Sequence, residues 1–182
     1  MNAHPLPTLP GLRSLPAVEH PELLAPPVAA ALASWPSASR AAVVEIDPEL
    51  ADTAAMSEAY DVPMSAGVNC VLIAGKRDGE ERIAACLVRA DTRADINTRA
   101  KRLLDVRKAS FLPMDRAVEE SGMEYGGITP VGLPGWWIFV DELAAQCEVA
   151  VIGSGVRRSK LLVPGEILTE LPGAELITGL AG

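Results

Sequence analysis

Residues 124–133 run Glu124-Tyr125-Gly126-Gly127-Ile128-Thr129-Pro130-Val131-Gly132-Leu133. Two adjacent glycines let a backbone approach a ligand closely and present its N–H groups. Pro130 stiffens the far side of the loop by fixing φ. Such a loop can hold a carbonyl oxygen or a developing oxyanion on main-chain donors alone. The same spacing also suits an ordinary tight connection, and spacing does not choose between the two.

Outward from this loop, strand and helix signals intermix. Pro113 to Ser121 predicts a short helix stopped by Gly122. Trp137 to Val140 predicts a strand, and Asp141 caps a short helix after it. Glu148 to Ile152 and Arg158 to Val163 predict two strands about the turn Gly153-Ser154-Gly155. Pro164 to Leu171 predicts a last short helix. Upstream, Ala42 to Ile46 reads as a strand. Asp47-Pro48 starts a helix reaching about Tyr60. Val68 to Ala74 and Arg82 to Val88 form a hairpin about Asp78-Gly79. Asp95 to Leu104 reads as a helix with Ile96, Ala100, Leu103 and Leu104 on one face. Arg107 to Leu112 reads as a strand. A hairpin among alternating elements implies a mixed sheet.

Residues 1–36 carry eight of the fifteen prolines. Repeated proline excludes a long helix or a central strand. The segment reads as an extended arm with one short helix near Val28 to Trp35. Its apolar residues predict packing on the domain or on a partner. The remaining residues, 37–182, read as one domain.

Composition narrows the function. The 182-residue chain has 16 basic and 24 acidic residues, a net charge of −8. That balance argues against a free-standing high-affinity nucleic-acid binder, while leaving room for a local basic strip. Cys70, Cys86 and Cys147 are widely spaced in apolar stretches and read as buried, reduced thiols. No CxxC spacing or nearby histidine suggests a metal site. The two histidines, His4 and His20, lie in the proline-rich segment, a poor place for a rigid nucleophile–base pair. Gly153-Ser154-Gly155 lacks nucleophile-elbow spacing. Neither a phosphate-cradling loop nor a dinucleotide fingerprint occurs. The expectation is therefore no metal and no cofactor. No apolar run reaches a membrane span of ~20 residues, and no cationic leader opens the chain. Cytoplasm is the expected compartment.

Tyr125-Gly126-Gly127-Ile128-Thr129-Pro130-Val131-Gly132 resembles the GG(V/I)(S/T)P(V/L)G signature of the YbaK family. That family includes the editing domain of bacterial prolyl-tRNA synthetases and free-standing trans-editing proteins. Ile152-Gly153-Ser154-Gly155-Val156-Arg157-Arg158-Ser159 is similar to the family's SGG(R/K)RG segment. Residues 95–104 with the strand after them look like the family's LxxLAxxLG helix and its following strand. The resemblance covers roughly residues 50–180. It implies an α/β (α+β) fold: a mixed, partly barrel-like β-sheet with surrounding helices.

The resemblance also implies a function: deacylation of tRNA carrying the wrong amino acid, without metal or cofactor. Gly126, Gly127, Ile128, Thr129 and Pro130 match the GxxxP catalytic loop, whose backbone would hold the ester and orient a water. The 2′-hydroxyl of the terminal ribose would assist. Ser154 matches a pocket serine, Gly155 belongs to the same turn, and Arg157 or Arg158 would supply charge to the tRNA end. The implied partners are the acceptor end of a tRNA carrying a small amino acid, an aminoacyl-tRNA synthetase, and a second copy of the chain as a homodimer. One departure stands out. The family usually has a lysine in a K(T/S)L pattern, and Asn69-Cys70-Val71-Leu72 places Asn69 there. Asparagine offers neutral donors where lysine offers charge. The alternative function is therefore a catalytically silent binding module for an aminoacyl or nucleotide ligand or a protein partner.

Overall fold

A computed structural model describes residues 4–182. Its elements in chain order are strands β1 (Leu15–Pro16), β2 (Ala42–Glu45), β3 (Val68–Arg77), β4 (Glu80–Arg89), β5 (Ala109–Phe111), β6 (Trp137–Asp141), β7 (Ala150–Gly153), β8 (Ser159–Val163) and β9 (Ala174–Ile177). The α-helices are α1 (Pro26–Ser34), α2 (Thr53–Tyr60), α3 (Lys101–Leu103), α4 (Met114–Ser121) and α5 (Glu142–Ala145). Short 3-10 turns link several of them.

The strands form two sheets. One is antiparallel, in the order β1-β2-β8-β7. The other is mixed, in the order β5-β3-β4-β6-β9, with β4–β6 and β6–β9 parallel. The long hairpin β3–β4 anchors the mixed sheet. Asp78 (φ 51°) and Gly79 (φ 82°) make its two-residue turn, so both strands run further than the apolar runs alone predict.

Three predicted elements take a different form. The helix expected from Asp47 to Tyr60 is broken. Asp47 does cap a first turn, its carboxylate accepting from Glu49 N at 3.0 Å. The Pro48 carbonyl then bonds Arg157 Nε instead of continuing the helix, and Asp52 is extended before α2 begins. The helix from Asp95 opens with a wide turn, in which Ala100 N–H reaches the Asp95 carbonyl five residues back. The final helix is a 3-10 segment, Gly165–Glu170. β1 and β9 have no counterpart in the sequence reading. β1 has only two residues, and the alternation of β9 (Ala174, Glu175, Leu176, Ile177) is broken.

The proline-rich segment lies on the body of the protein. Ala17, Leu23, Leu24, Ala25, Val28, Leu32 and Trp35 are buried in the same core cluster as Leu72, Leu87, Ile138, Ile152 and Leu161. The pattern Val28/Leu32 puts one face of α1 inward. β1 adds to β2 through Leu15↔Val43. Asp141 is buried at the end of β6, where it caps α5 through Leu143 N and accepts from Leu180 N and Ala181 N. That carboxylate fastens the C-terminus to the mixed sheet.

Candidate functional site

The two sheets approach each other along β3 and β7, where Gly67 and Val151 form an isolated parallel bridge. A cavity of about 460 Å³ opens at that junction, a size typical of small-ligand sites. β3 supplies Asn69 and Cys70, α2 supplies Thr53 and Met56, and β7 supplies Ile152 and Gly153. Tyr125, Gly126 and Ile128 enter from the glycine loop, and Lys160 enters from β8.

The loop is shaped by contact with the turn after β7. Gly155 N–H donates to the Gly127 carbonyl at 2.7 Å, and Glu124 N–H donates to the Gly155 carbonyl at 2.8 Å. A Cβ on Gly127 would lie 2.8 Å from Val156 N, and one on Gly153 2.5 Å from the Gly127 oxygen. Both glycines are therefore required by close backbone approach. Gly126 has φ +77°, a region glycine enters without steric cost.

Main-chain donors in the loop divide into two kinds. Gly127 N–H is taken by the Glu124 carbonyl, and Thr129 N–H points at Met123 Sδ. Among the described residues, the N–H groups of Gly126 and Ile128 meet no protein acceptor. These two residues are the ones that border the cavity. Thr129 and Pro130 stand behind it, and the buried Thr129 hydroxyl has no partner.

The other predicted site residues are dispersed. Asn69 borders the cavity, its side-chain oxygen accepting from the Thr53 hydroxyl at 3.0 Å. Ser154 is fully buried and does not border it. Its hydroxyl bonds the Val156 and Ser159 carbonyls and the Ser159 hydroxyl, which holds the turn closed. Gly155 (φ +86°) packs on Ala25 and Val28 of the N-terminal segment. Arg157 lies beside the loop. It donates to the Pro48 and Tyr125 carbonyls, sits over the Tyr125 ring at 5.8 Å and faces Asp52 at 3.8 Å. Lys76, at the hairpin tip, does not line this cavity.

Lys160 was not singled out by sequence reasoning. Its signal is a charged residue inside the run Ser159-Lys160-Leu161-Leu162-Val163, on a strand flanked by β2 and β7. Burial, followed by repulsion from Arg157, lowers its pKa to about 8, with Asp52 opposing.

Burial and the neighbouring Cys86 push the Cys70 thiol far up, and burial pushes Cys86 to about 12. Thiolate is the nucleophilic form, so Cys70 is a wall of the cavity and not its nucleophile. Cys70→Ala is expected to retain ester hydrolysis to within about threefold, because no thiolate is present to lose. Loss of more than about tenfold, measured on the folded variant, would contradict this. Among the described residues, no three His, Cys, Asp or Glu side chains converge as a metal ion requires, and no helix is long and apolar enough to cross a membrane.

Comparison with known proteins bears on the fold and on the family. A candidate trans-editing enzyme for prolyl tRNA synthetase is 21% identical, with a TM-score of 0.72 over 85% of this chain and 94% of that one. A hypothetical protein of known structure is also 21% identical, with a TM-score of 0.67 over 77% of this chain and 90% of that one. At such identities the likeness is one of fold. A candidate signal transduction protein of Marinobacter aquaeolei shares the fold less closely, at 17% identity and a TM-score of 0.57, over 92% of this chain and 31% of that one. No curated protein sequence matches the chain. The model of the aminoacyl-tRNA editing domain matches residues 47–171, which include the glycine loop, the turn after β7 and the whole cavity wall. The chain belongs to the aminoacyl-tRNA editing domain family.

Proposed function

We propose that the protein hydrolyses the ester bond of mischarged aminoacyl-tRNA, acting in trans on an acceptor end that carries a small amino acid. The observation that carries this reading is the pair of unpartnered N–H groups of Gly126 and Ile128, two residues that line a cavity of small-ligand size. Two fixed donors suit an oxygen that gains charge as water attacks the carbonyl carbon. The 2′-hydroxyl of the terminal ribose orients that water, so the chain needs no histidine at the site. Ser154, Gly155 and Arg157 serve the reaction by holding the loop.

The surroundings of the cavity suit an RNA end. Phe111 is 67% exposed and Tyr125 58%, and both stand at the cavity beside Met64 and Met114. Exposed rings at a site mouth are platforms for a terminal base. Lys76, Arg107 and Lys108 lie together on the other side of Phe111. They form a local basic strip on an otherwise acidic chain, placed to meet backbone phosphates. Small amino acids are the substrates that need such an enzyme, since a synthetase gains only ~1–3 kcal/mol of discrimination per methylene. A synthetase partner and a homodimer belong to the same reading.

The test is single-turnover hydrolysis by the purified chain of tRNAs charged with alanine, serine, cysteine and proline. Hydrolysis of at least one ester about 100-fold or more above its spontaneous rate is expected, the scale of one oxyanion donor. Tight binding with no acceleration of any ester would favour the silent binding module, for which Asn69 in the lysine position is the motive.

A further inference from the structure

Lys160 occupies an unusual place for a lysine. β8 is held on both sides, with Lys160 opposite Val44 of β2 and Gly153 of β7. Alternation along the strand sends Leu161 and Val163 into the main core. Lys160 and Leu162 take the opposite face, toward Met56 and Val62. The side chain is only 7% exposed and borders the cavity. Among the described residues its ammonium makes no hydrogen bond and no ion pair. Asp52, the carboxylate at the same cavity, faces Arg157 at 3.8 Å. A buried cation without a partner destabilises a fold, and fold rules of this kind are broken mainly at functional sites.

We propose that the Lys160 ammonium receives the ester carbonyl of the aminoacyl end and stabilises the negative charge that develops on it, in place of the cation that Asn69 does not provide. This rests on the deacylase reading above. A water oxygen bonds to the carbonyl carbon, and the C=O electron pair moves onto the oxygen beside Lys160. Collapse re-forms the carbonyl and breaks its bond to the ribose oxygen, which takes up the proton released by the water. Free amino acid and tRNA result, and Lys160 keeps its protons throughout. The gain arises because the charge exists in the transition state and not in the bound ester.

Geometry and titration agree. The charged and titratable groups around Lys160 are Arg157, Asp52, Cys70 and Tyr125, of which Arg157 repels the ammonium and Asp52 attracts it. The protonated form is the active one. The acceleration over spontaneous hydrolysis should therefore fall as pH rises through about 8.

The experiment uses the full chain, Lys160→Met, and two stable analogues of 3′-alanyl-adenosine. In one, an anionic tetrahedral phosphonate replaces the ester carbonyl; the other is a neutral amide. Lys160→Met should weaken phosphonate binding about 30-fold or more and amide binding less than about threefold, as loss of one charge-assisted bond implies. Its Tm should not fall, since a desolvated charge is removed. Its kcat for the fastest ester should fall about 100-fold or more with KM nearly unchanged. Equal losses for both analogues, no loss for either, or a wild-type chain that does not bind the phosphonate would overturn the assignment. If the wild-type chain hydrolyses no ester and yet shows the phosphonate selectivity, the deacylase reading falls and Lys160 stands as an anion-holding group.

Discussion

A chain lacking residues 1–36 should show no cooperative unfolding transition. The deletion strips Leu23, Leu24, Val28, Leu32 and Trp35 from the main core, all of them nearly inaccessible to solvent. Each such side chain is worth ~1.5–3 kcal/mol of burial, a total on the order of 10 kcal/mol. That equals the whole stability of a typical domain, ~5–15 kcal/mol. The loss reaches the site as well. Gly132 packs on the Pro27 carbonyl so closely that a Cβ there would lie 2.5 Å from its oxygen. The Ser159 hydroxyl bonds the Leu23 carbonyl, and the Ser154 carbonyl accepts from Ala25 N. The segment thus backs both the glycine loop and the turn after β7. Thermal unfolding followed by circular dichroism tests this. A cooperative melt with undiminished ester hydrolysis would make the segment a dispensable arm.

Gly127→Ala should abolish most of the activity while leaving a folded protein. The new Cβ would meet Val156 N at 2.8 Å and the Val156 and Gly155 carbonyl carbons at 2.9 and 3.0 Å. All three are backbone atoms, so no side chain can turn aside. The loop must move away from the turn, carrying the Gly126 and Ile128 N–H groups with it. Displacement of about 1 Å at a reacting centre costs about 100-fold, and loss of one oxyanion donor costs ~10²–10³ in kcat. Overpacking by one methyl should cost ~1–3 kcal/mol of stability, leaving a cooperative melt at lower temperature. A variant with wild-type kcat would remove the loop from the chemistry.

The hairpin, the caps at Asp47 and Asp141, and the stop at Gly122 were legible because each rests on local chemistry. A left-handed turn needs Asp-Gly or its equivalent, and a helix start needs an acceptor for its free N–H groups. What sequence could not supply was long-range. The helix after Asp47 breaks because Arg157, 109 residues away, takes the Pro48 carbonyl. The proline-rich segment reads as an arm because proline reports what a segment cannot form, and not what it packs against. Its apolar residues, Leu23, Leu24, Val28, Leu32 and Trp35, were the better guide.

The site divided along the same line. Gly126, Gly127 and Ile128 stood out because adjacent glycines permit close backbone approach and because the run resembles the family's signature loop. Ser154 was placed correctly on the turn after β7, yet its hydroxyl bonds only that turn. Lys160 does not stand out in the sequence because the family's cation position falls at Asn69 on β3, whereas Lys160 lies on β8. Two strands from different parts of the chain reach one cavity here. A cation on β8 faces the same space as a residue on β3, and only the meeting of the two sheets reveals it.

The most direct test compares wild-type and Asn69→Lys proteins on the same small aminoacyl-tRNA esters under single-turnover conditions. The wild-type protein is expected to hydrolyse at least one of them, and the added lysine to give no faster rate, because a cation already faces the cavity. A silent wild-type protein beside an active Asn69→Lys variant would contradict it, and would mean that the cavity lacks the charge its chemistry needs.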